Sequence, residues 1–285
     1  MKQHIYAYLM QKAQSMHSPI GSLLRRVAGI VESAKRRACY DMELNGEAWL
    51  IHQLAGLNIG CVFDVGAHDG AWTHLCKQTL PDASLFLFEP LPHLNAKLLA
   101  RFGKEKKVHV SDFGLSDVGG IEQFFSVSER PTRSSLVRMN NQGDVDSMRV
   151  RFETGDEFCR NAHIERIDFL KIDTEGAENR VLAGFEQMLR AEKIHMIQFE
   201  YGQVNIETHF LLKDFYGMLV PLGFKIGKLE PNGVRFASYS YDQEDFLGPN
   251  YIAIHQSRED VARKVAAPSK YHRDYSQGND AEFTS

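Results

Sequence analysis

The sequence lacks most of the features that mark a disulfide scaffold, a membrane-spanning chain or a phosphate-cradling enzyme. Four cysteines occur, Cys39, Cys61, Cys76 and Cys159, and none forms a C-x-x-C pair. That spacing argues against a thiolate metal site or a dithiol motif. Three of the four sit within apparently regular elements where a small apolar thiol packs well, so they are read as reduced. No stretch of about 18 apolar residues is present, and no long apolar run opens the chain, so neither a membrane span nor a secretion signal is expected. The cytoplasm is the expected compartment. Charge of one sign is also missing. With 33 basic and 37 acidic residues and a net charge of -4, the chain has no broad basic surface of the kind that neutralises nucleic-acid phosphates.

What is present fits one main domain. A chain of 285 residues, 43% hydrophobic and 25% charged, is long enough for a three-layer core with spare residues at its ends. Residues 1–45 read as an amphipathic, basic helical extension. In it Leu23, Leu24, Val27, Ile30 and Val31 recur at helical spacing among Arg25, Arg26, Lys35, Arg36 and Arg37. Docking on the protein's own core or on a second subunit, which would make a homo-oligomer, is the expected use of that face. Peripheral contact with an anionic membrane is the alternative. Residues 46–256 read as the main domain and 257–285, poor in apolar anchors after Val265, as a mobile tail.

Between the ends the pattern alternates strand and helix. Strands are expected at 61–66, 84–89, 108–112, 167–173 and 194–200, with helices at 70–80, 91–102 and 177–192. Right-handed crossovers lay such strands parallel. Late strands at 224–229 and 251–255, joined through the Pro231-Asn232-Gly233 turn region and the residues after it, predict an antiparallel closure of the sheet. The connection over 128–148 is too long for a simple turn and reads either as a lid or as a solvated polar loop.

Chemistry gathers at the strand ends. Asp64-Val65-Gly66-Ala67-His68-Asp69-Gly70 closes the first strand with glycines that let backbone approach a ligand ahead of a helix N-terminus. The G-x-G-x-x-G spacing is absent and carboxylates stand at 64 and 69, which repel a pyrophosphate and suit a cationic ligand such as S-adenosylmethionine. A βα turn capped by Asp69 is the structural alternative. Glu89, about 20 residues on, ends the second strand where a carboxylate accepts from ribose hydroxyls, and Pro90 stops the strand so that the acid projects. Asp112 and Phe113, where the third strand ends, offer an acceptor and an apolar face to an adenine, with a plain core position the alternative for Phe113.

With these residues stands Ile167-Asp168-Phe169-Leu170-Lys171-Ile172-Asp173-Thr174-Glu175-Gly176-Ala177-Glu178, which resembles the signature of the FkbM family of methyltransferases. VFDVGAHDG at 62–70, FEP at 88–90, GLSD at 114–117, SSL at 134–136 and TGDEF at 154–158 accompany it in the same order. His68 departs from the V-G-A-N of many members. The resemblance, over roughly residues 60–255, implies an α/β class I methyltransferase fold, a Rossmann-like three-layer sandwich whose mostly parallel sheet has a closing antiparallel strand. It also implies S-adenosyl-L-methionine as donor and usually O-methylation of saccharides, polysaccharide units or natural-product hydroxyls.

The donor set is accordingly Asp64, Gly66, Ala67, His68, Gly70, Glu89, Pro90, Asp112 and Phe113. A hydroxyl must lose its proton as it is methylated, and Asp173 and Glu200 lie at the ends of the fourth and fifth strands on the same edge, so they are the expected catalytic pair. Glu175, Tyr201, Ser134 and Ser135 are placed toward the acceptor. First-turn stabilisation of the following helix is an even alternative for Glu175 and the preferred one for Glu178. Mg²⁺ on Asp173 and Glu200 is weighed but not expected, for lack of an adjacent Asp-Asn pair. His68, His195 and His209 are alternative bases. An NAD-dependent oxidoreductase would need the missing phosphate-binding glycines. Phe199-Glu200-Tyr201-Gly202 does not resemble the loop of amino-methylating enzymes, and a donor-binding regulator without turnover is the non-enzymatic alternative.

Overall fold

Runs of β-branched and aromatic residues at 61–65, 84–88, 169–172 and 196–202 build the middle of an eight-stranded sheet in the computed structural model. The structure describes residues 22, 23, 26, 27, 41–127, 130–135 and 145–268. The chain divides into a unit over Met1–Cys39, of which the four described residues are helical, and a second unit from Tyr40 onward. The other residues up to 40, and the tail beyond residue 268, lie outside the described residues.

The second unit opens with helices α1 (Met42–Asn45) and α2 (Glu47–Gln53), followed by β1 (Cys61–Val65), α3 (Ala71–Thr79), β2 (Ser84–Phe88), α4 (Pro92–Phe102) and β3 (Val108–Ser111). An inserted sheet comes next, made of β4 (Gly114–Leu115), β5 (Gly120–Val127), β6 (Arg130–Ser135) and β7 (Val145–Glu153). Then come α5 (Gly155–Asn161), β8 (Phe169–Ile172), α6 (Glu178–Ala183), α7 (Glu186–Arg190), β9 (Met196–Gly202), α8 (Val204–Thr208) and α9 (Leu212–Leu219). The end is β10 (Phe224–Glu230), β11 (Gly233–Phe236), β12 (Leu247–His255) and α10 (Glu259–Val265).

The large sheet has the order β11-β10-β12-β9-β8-β1-β2-β3. Strands β9, β8, β1, β2 and β3 run parallel, and β12 inserts antiparallel between β9 and β10. Side chains alternate between two cores. Phe63, Leu170 and Ile172 join α5, α6, α7 and α9 on one face, while Val62 and Phe169 join α2, α3, α4 and α10 on the other. This is the expected three-layer sandwich. Its parallel strands end on one edge, which delivers Gly66, Glu89 and Asp173 to a common crevice.

Several expectations are corrected. The single helix over 177–192 is two, because the chain turns at Gly184, where a Cβ would lie 2.1 Å from the Ser116 carbonyl oxygen. The Pro231-Asn232 turn joins β10 to the unexpected β11, and the two late strands pair antiparallel as Phe224 with His255 through Lys228 with Tyr251. The 128–148 connection is not a plain loop, since β6 and the start of β7 lie in it. Nor does the domain stop at residue 256: Val261, Ala262 and Val265 of α10 are buried, and at the other end Met42 and Asn45 line the functional cleft.

Candidate functional site

The crevice is a cleft of about 310 Å³. Its floor is the turn between β1 and α3. Gly66 has φ +81°, and a Cβ there would fall 1.9 Å from the Asp173 carbonyl oxygen, so two strand ends touch only because this residue has no side chain. Gly66 and Ala67 donate their N–H groups to the Phe88 carbonyl at 3.0 and 3.3 Å, which ties the turn to β2. Gly70, at φ +76°, starts α3 packed against Phe102, and the Asp69 carboxylate accepts from the Ala71 N–H at 3.0 Å. Gly66, Ala67, His68 and Asp69 all line the cleft, whereas Gly70 shapes the turn from behind.

Glu89 faces the same space from the end of β2. It is buried, and its carboxylate accepts from the His68 N–H and the Leu91 N–H, each at 3.0 Å. Burial pushes its pKa up to about 7 against the pull of those two N–H groups. Each oxygen retains a lone pair for a ligand hydroxyl. Pro90 lines the cleft beside it.

Behind the floor runs a chain of charge. The Lys171 ammonium lies 3.2 Å from Asp64 Oδ1 and 3.0 Å from Asp173 Oδ2, and Asp64 Oδ2 accepts the Thr73 hydroxyl at 2.6 Å. Burial acts to lower the Lys171 pKa, but Asp173, Asp64 and Glu47 outweigh it, so the ammonium is held above its ordinary range. Glu47 is fixed in turn by Asn45 Nδ2 at 2.7 Å and Gln198 Nε2 at 2.6 Å, with its pKa raised chiefly by burial.

Three more carboxylates line the cleft. Buried Glu178 accepts from the Thr174 N–H, the Thr174 hydroxyl and the Gly176 N–H, and so folds the 173–177 loop back on itself. Glu175 takes φ +53° in that loop. One oxygen each from Asp173, Glu175 and Glu200 lies within 4.8 Å of the other two, a spacing that can hold a divalent cation or the hydroxyls of a polyol. Burial, then the neighbouring carboxylates of Asp173, Glu175 and Glu178, raise the Glu200 pKa well above its ordinary value.

An apolar wall closes the side next to Glu89. Leu91 and Leu94 of the β2–α4 segment pack with Phe124, Val150 and Phe152 of the inserted sheet. Arg180 ties that sheet to α6 through Glu122 at 2.9 and 2.7 Å and Asp117 at 2.7 Å.

Residues 64–225 match the methyltransferase FkbM domain, more than half of the chain. The chain belongs to the FkbM methyltransferase family. The 2-O-methyltransferase NoeI of Sinorhizobium fredii is 28% identical over 159 residues, covering 50% of this chain and 63% of that protein. The hexuronic acid methyltransferase AglP of Haloferax volcanii is 23% identical over 142 residues, 50% of this chain and 56% of its own. The chain thus spans less than two thirds of either relative. Among solved structures, the plantazolicin methyltransferase BpumL in complex with SAH aligns over 90% of this chain and 99% of its own, at 13% identity and a TM-score of 0.41. The order of the large sheet is that of a class I methyltransferase fold.

Within this FkbM-family chain, Gly66, Ala67, His68, Glu89, Pro90, Asp173, Glu175 and Glu200 come together in one cleft. Five other expected site residues do not line it. Asp64 is buried and spent on Lys171 and Thr73. Asp112 reaches outward to Arg151 at 3.3 Å, and Phe113 is core, covered by the Arg151 guanidinium 4.4 Å from its ring centroid. Tyr201 is fully buried and donates its hydroxyl to Glu244, because β12 covers the end of β9. Gly70 stands behind the turn. Ser134 and Ser135 lie in β6, paired with Ser126 and Phe125, and their side chains are outside the described residues.

Sequence reasoning missed Lys171, Glu47, Trp72, Phe124 and Phe152, all of which line the cleft. Lys171 carried a signal: a charge inside an otherwise apolar parallel strand must be met by partners. Phe152 carried one too, in the two-residue alternation of Met148-Arg149-Val150-Arg151-Phe152.

Proposed function

We propose that this chain is an S-adenosylmethionine-dependent O-methyltransferase acting on a hydroxyl of a saccharide or a related polyol. The observation that carries the reading is the composition of the cleft. A glycine turn, Glu89 and three clustered carboxylates line one cleft. The residues fit such a donor. Gly66 lets the turn after β1 close onto Asp173 at the cleft floor, Glu89 offers free lone pairs to ribose hydroxyls, and the apolar wall of Leu91, Leu94 and Phe124 suits a purine. Acids rather than a glycine-rich phosphate cradle suit a cation and disfavour a dinucleotide.

Bound there, S-adenosylmethionine would supply an electrophilic methyl group. The protein's own part is to hold the acceptor oxygen in line and to take its proton. Glu200 suits the second task, since a carboxylate whose pKa is raised is a stronger base when ionised. Asp173, held by Lys171, and Glu175 would orient the acceptor, directly or through a divalent cation. The names of NoeI and AglP, a 2-O-methyltransferase and a hexuronic acid methyltransferase, support oxygen and sugar as the target.

The test is incubation with labelled S-adenosylmethionine and a panel of neutral, amino and uronic saccharides, with and without chelator. Label transfer to a saccharide hydroxyl is expected. Donor binding with no transfer to any saccharide would favour the regulator, and loss of transfer with chelator would assign a cation to Asp173, Glu175 and Glu200.

A further inference from the structure

Among the described residues that line the cleft, Lys171 is the one lysine or arginine, set against Glu47, Asp69, Glu89, Asp173, Glu175 and Glu200. Its side chain is 6% exposed and bridges Asp64 and Asp173, with the ammonium 5.7 Å from the centroid of the Trp72 ring. Asp64 is 2% exposed and held on its other oxygen by Thr73, so neither partner of the inner pair can turn to solvent. A charge fixed in this way acts on any charge that enters the cleft, because little water lies between to screen it.

S-adenosylmethionine and its by-product S-adenosylhomocysteine differ by one methyl group and one positive charge at sulfur. We propose that Lys171 is a specificity-determining residue that sets the cleft's preference between these two, by offsetting one of the carboxylates that attract the sulfonium. The inference rests on the donor reading above. Lys171 sets one positive charge against the carboxylates of Asp64 and Asp173, and where Asp64 is already neutral its removal takes that charge away with no buried acid left to take up a proton. Removing the ammonium therefore strengthens the cleft's grip on the sulfonium ligand relative to the neutral thioether. A purely structural strut would weaken both ligands alike.

The experiment is parallel calorimetric titration of S-adenosylmethionine and S-adenosylhomocysteine into four proteins: wild type, Lys171→Met, Asp64→Asn and Asp64→Asn/Lys171→Met. The expected result is a rise of up to about fivefold in Kd(S-adenosylhomocysteine)/Kd(S-adenosylmethionine) from wild type to Lys171→Met, where proton uptake by the unpaired Asp64 offsets part of the step, fivefold being the size of one unit charge acting across roughly 10 Å at an effective dielectric between protein and water. The full rise is expected from Asp64→Asn to the double variant. That second pair leaves no ionised Asp64 buried without a partner, so it reads the same charge step even if Lys171→Met alone does not fold. A ratio unchanged within each pair, with both affinities falling together, would overturn the proposal. Failure of wild type to bind either ligand would instead remove the donor reading, and this inference with it.

Discussion

Strand β8 is bounded by two aspartates, Asp168 before it and Asp173 after it, and they do opposite things. Asp168 is 1% exposed and fully engaged. It accepts from the Gly60 and Cys61 N–H groups at 2.8 and 3.0 Å and from Arg166 Nε at 2.9 Å, and it lies 3.3 Å from His195 Nδ1. Asp173 is 36% exposed, has one cation beside it, and shares its end of the cleft with Glu175 and Glu200. A buried acid whose lone pairs are all used stitches a sheet together. An acid at the open edge, in surplus over its cations, is available to a ligand. Chain position explains the difference, since the carboxyl edge of parallel strands is where the crossovers leave a crevice.

The largest expected effect tests the open end of that strand. Glu200→Gln should lower single-turnover methyl transfer by about 10²- to 10⁴-fold, because the amide keeps the shape and cannot take the proton, and Asp173→Asn should lower it by loosening the hold on the acceptor. S-adenosylhomocysteine affinity should move far less. Wild-type rates in both variants would return the role of base to His68 or leave only positioning.

At the closed end the loss should be in stability. Asp168→Ala strips the partner from buried donors and should cost about 3–5 kcal/mol in urea unfolding, with the donor affinity of the folded fraction unchanged. Weaker binding with undiminished stability would erase the distinction between the two ends.

Glu89 adds a pH signature. Its folded pKa is about 7 against an ordinary value of 4.5, so the stability it contributes is fully present below pH 4.5 and is lost as pH rises through 7. The shift corresponds to about 3 kcal/mol. Urea unfolding of wild type across that window should show the decline, and Glu89→Gln should flatten it. Identical profiles would mean that the carboxyl group is not desolvated by burial.

The smallest effect concerns Tyr201. Tyr201→Phe removes a buried hydroxyl that donates to Glu244 and should cost about 1 kcal/mol of stability with no change in turnover. A selective fall in turnover would restore Tyr201 to the acceptor site.

These contrasts also mark what was legible in the sequence. Gly66, Glu89 and Asp173 could be read because each follows an apolar run, and in parallel strands such positions share an edge. Tyr201 misled for the same reason. It follows Glu200 at the expected strand end, but β9 continues to Gly202 and β12 pairs along it, so the side chain points into core. Asp112 and Phe113 failed because the chain turns directly into the inserted sheet, whose Phe124 and Phe152 take the wall of the cleft. Glu47 was out of reach. Its placement depends on Gly46, at φ +102°, lying close to the Glu230 carbonyl oxygen, and on Gln198, contacts that no local pattern announces.

The central claim is that the carboxyl-edge cleft takes the methyl donor with Glu89 on its ribose. Calorimetric titration of S-adenosylhomocysteine into wild type and Glu89→Gln at pH 8, where the carboxylate is ionised, tests it most directly. One site in wild type and an affinity about tenfold weaker in a folded Glu89→Gln variant is the predicted result. Equal affinity in the two proteins would contradict it.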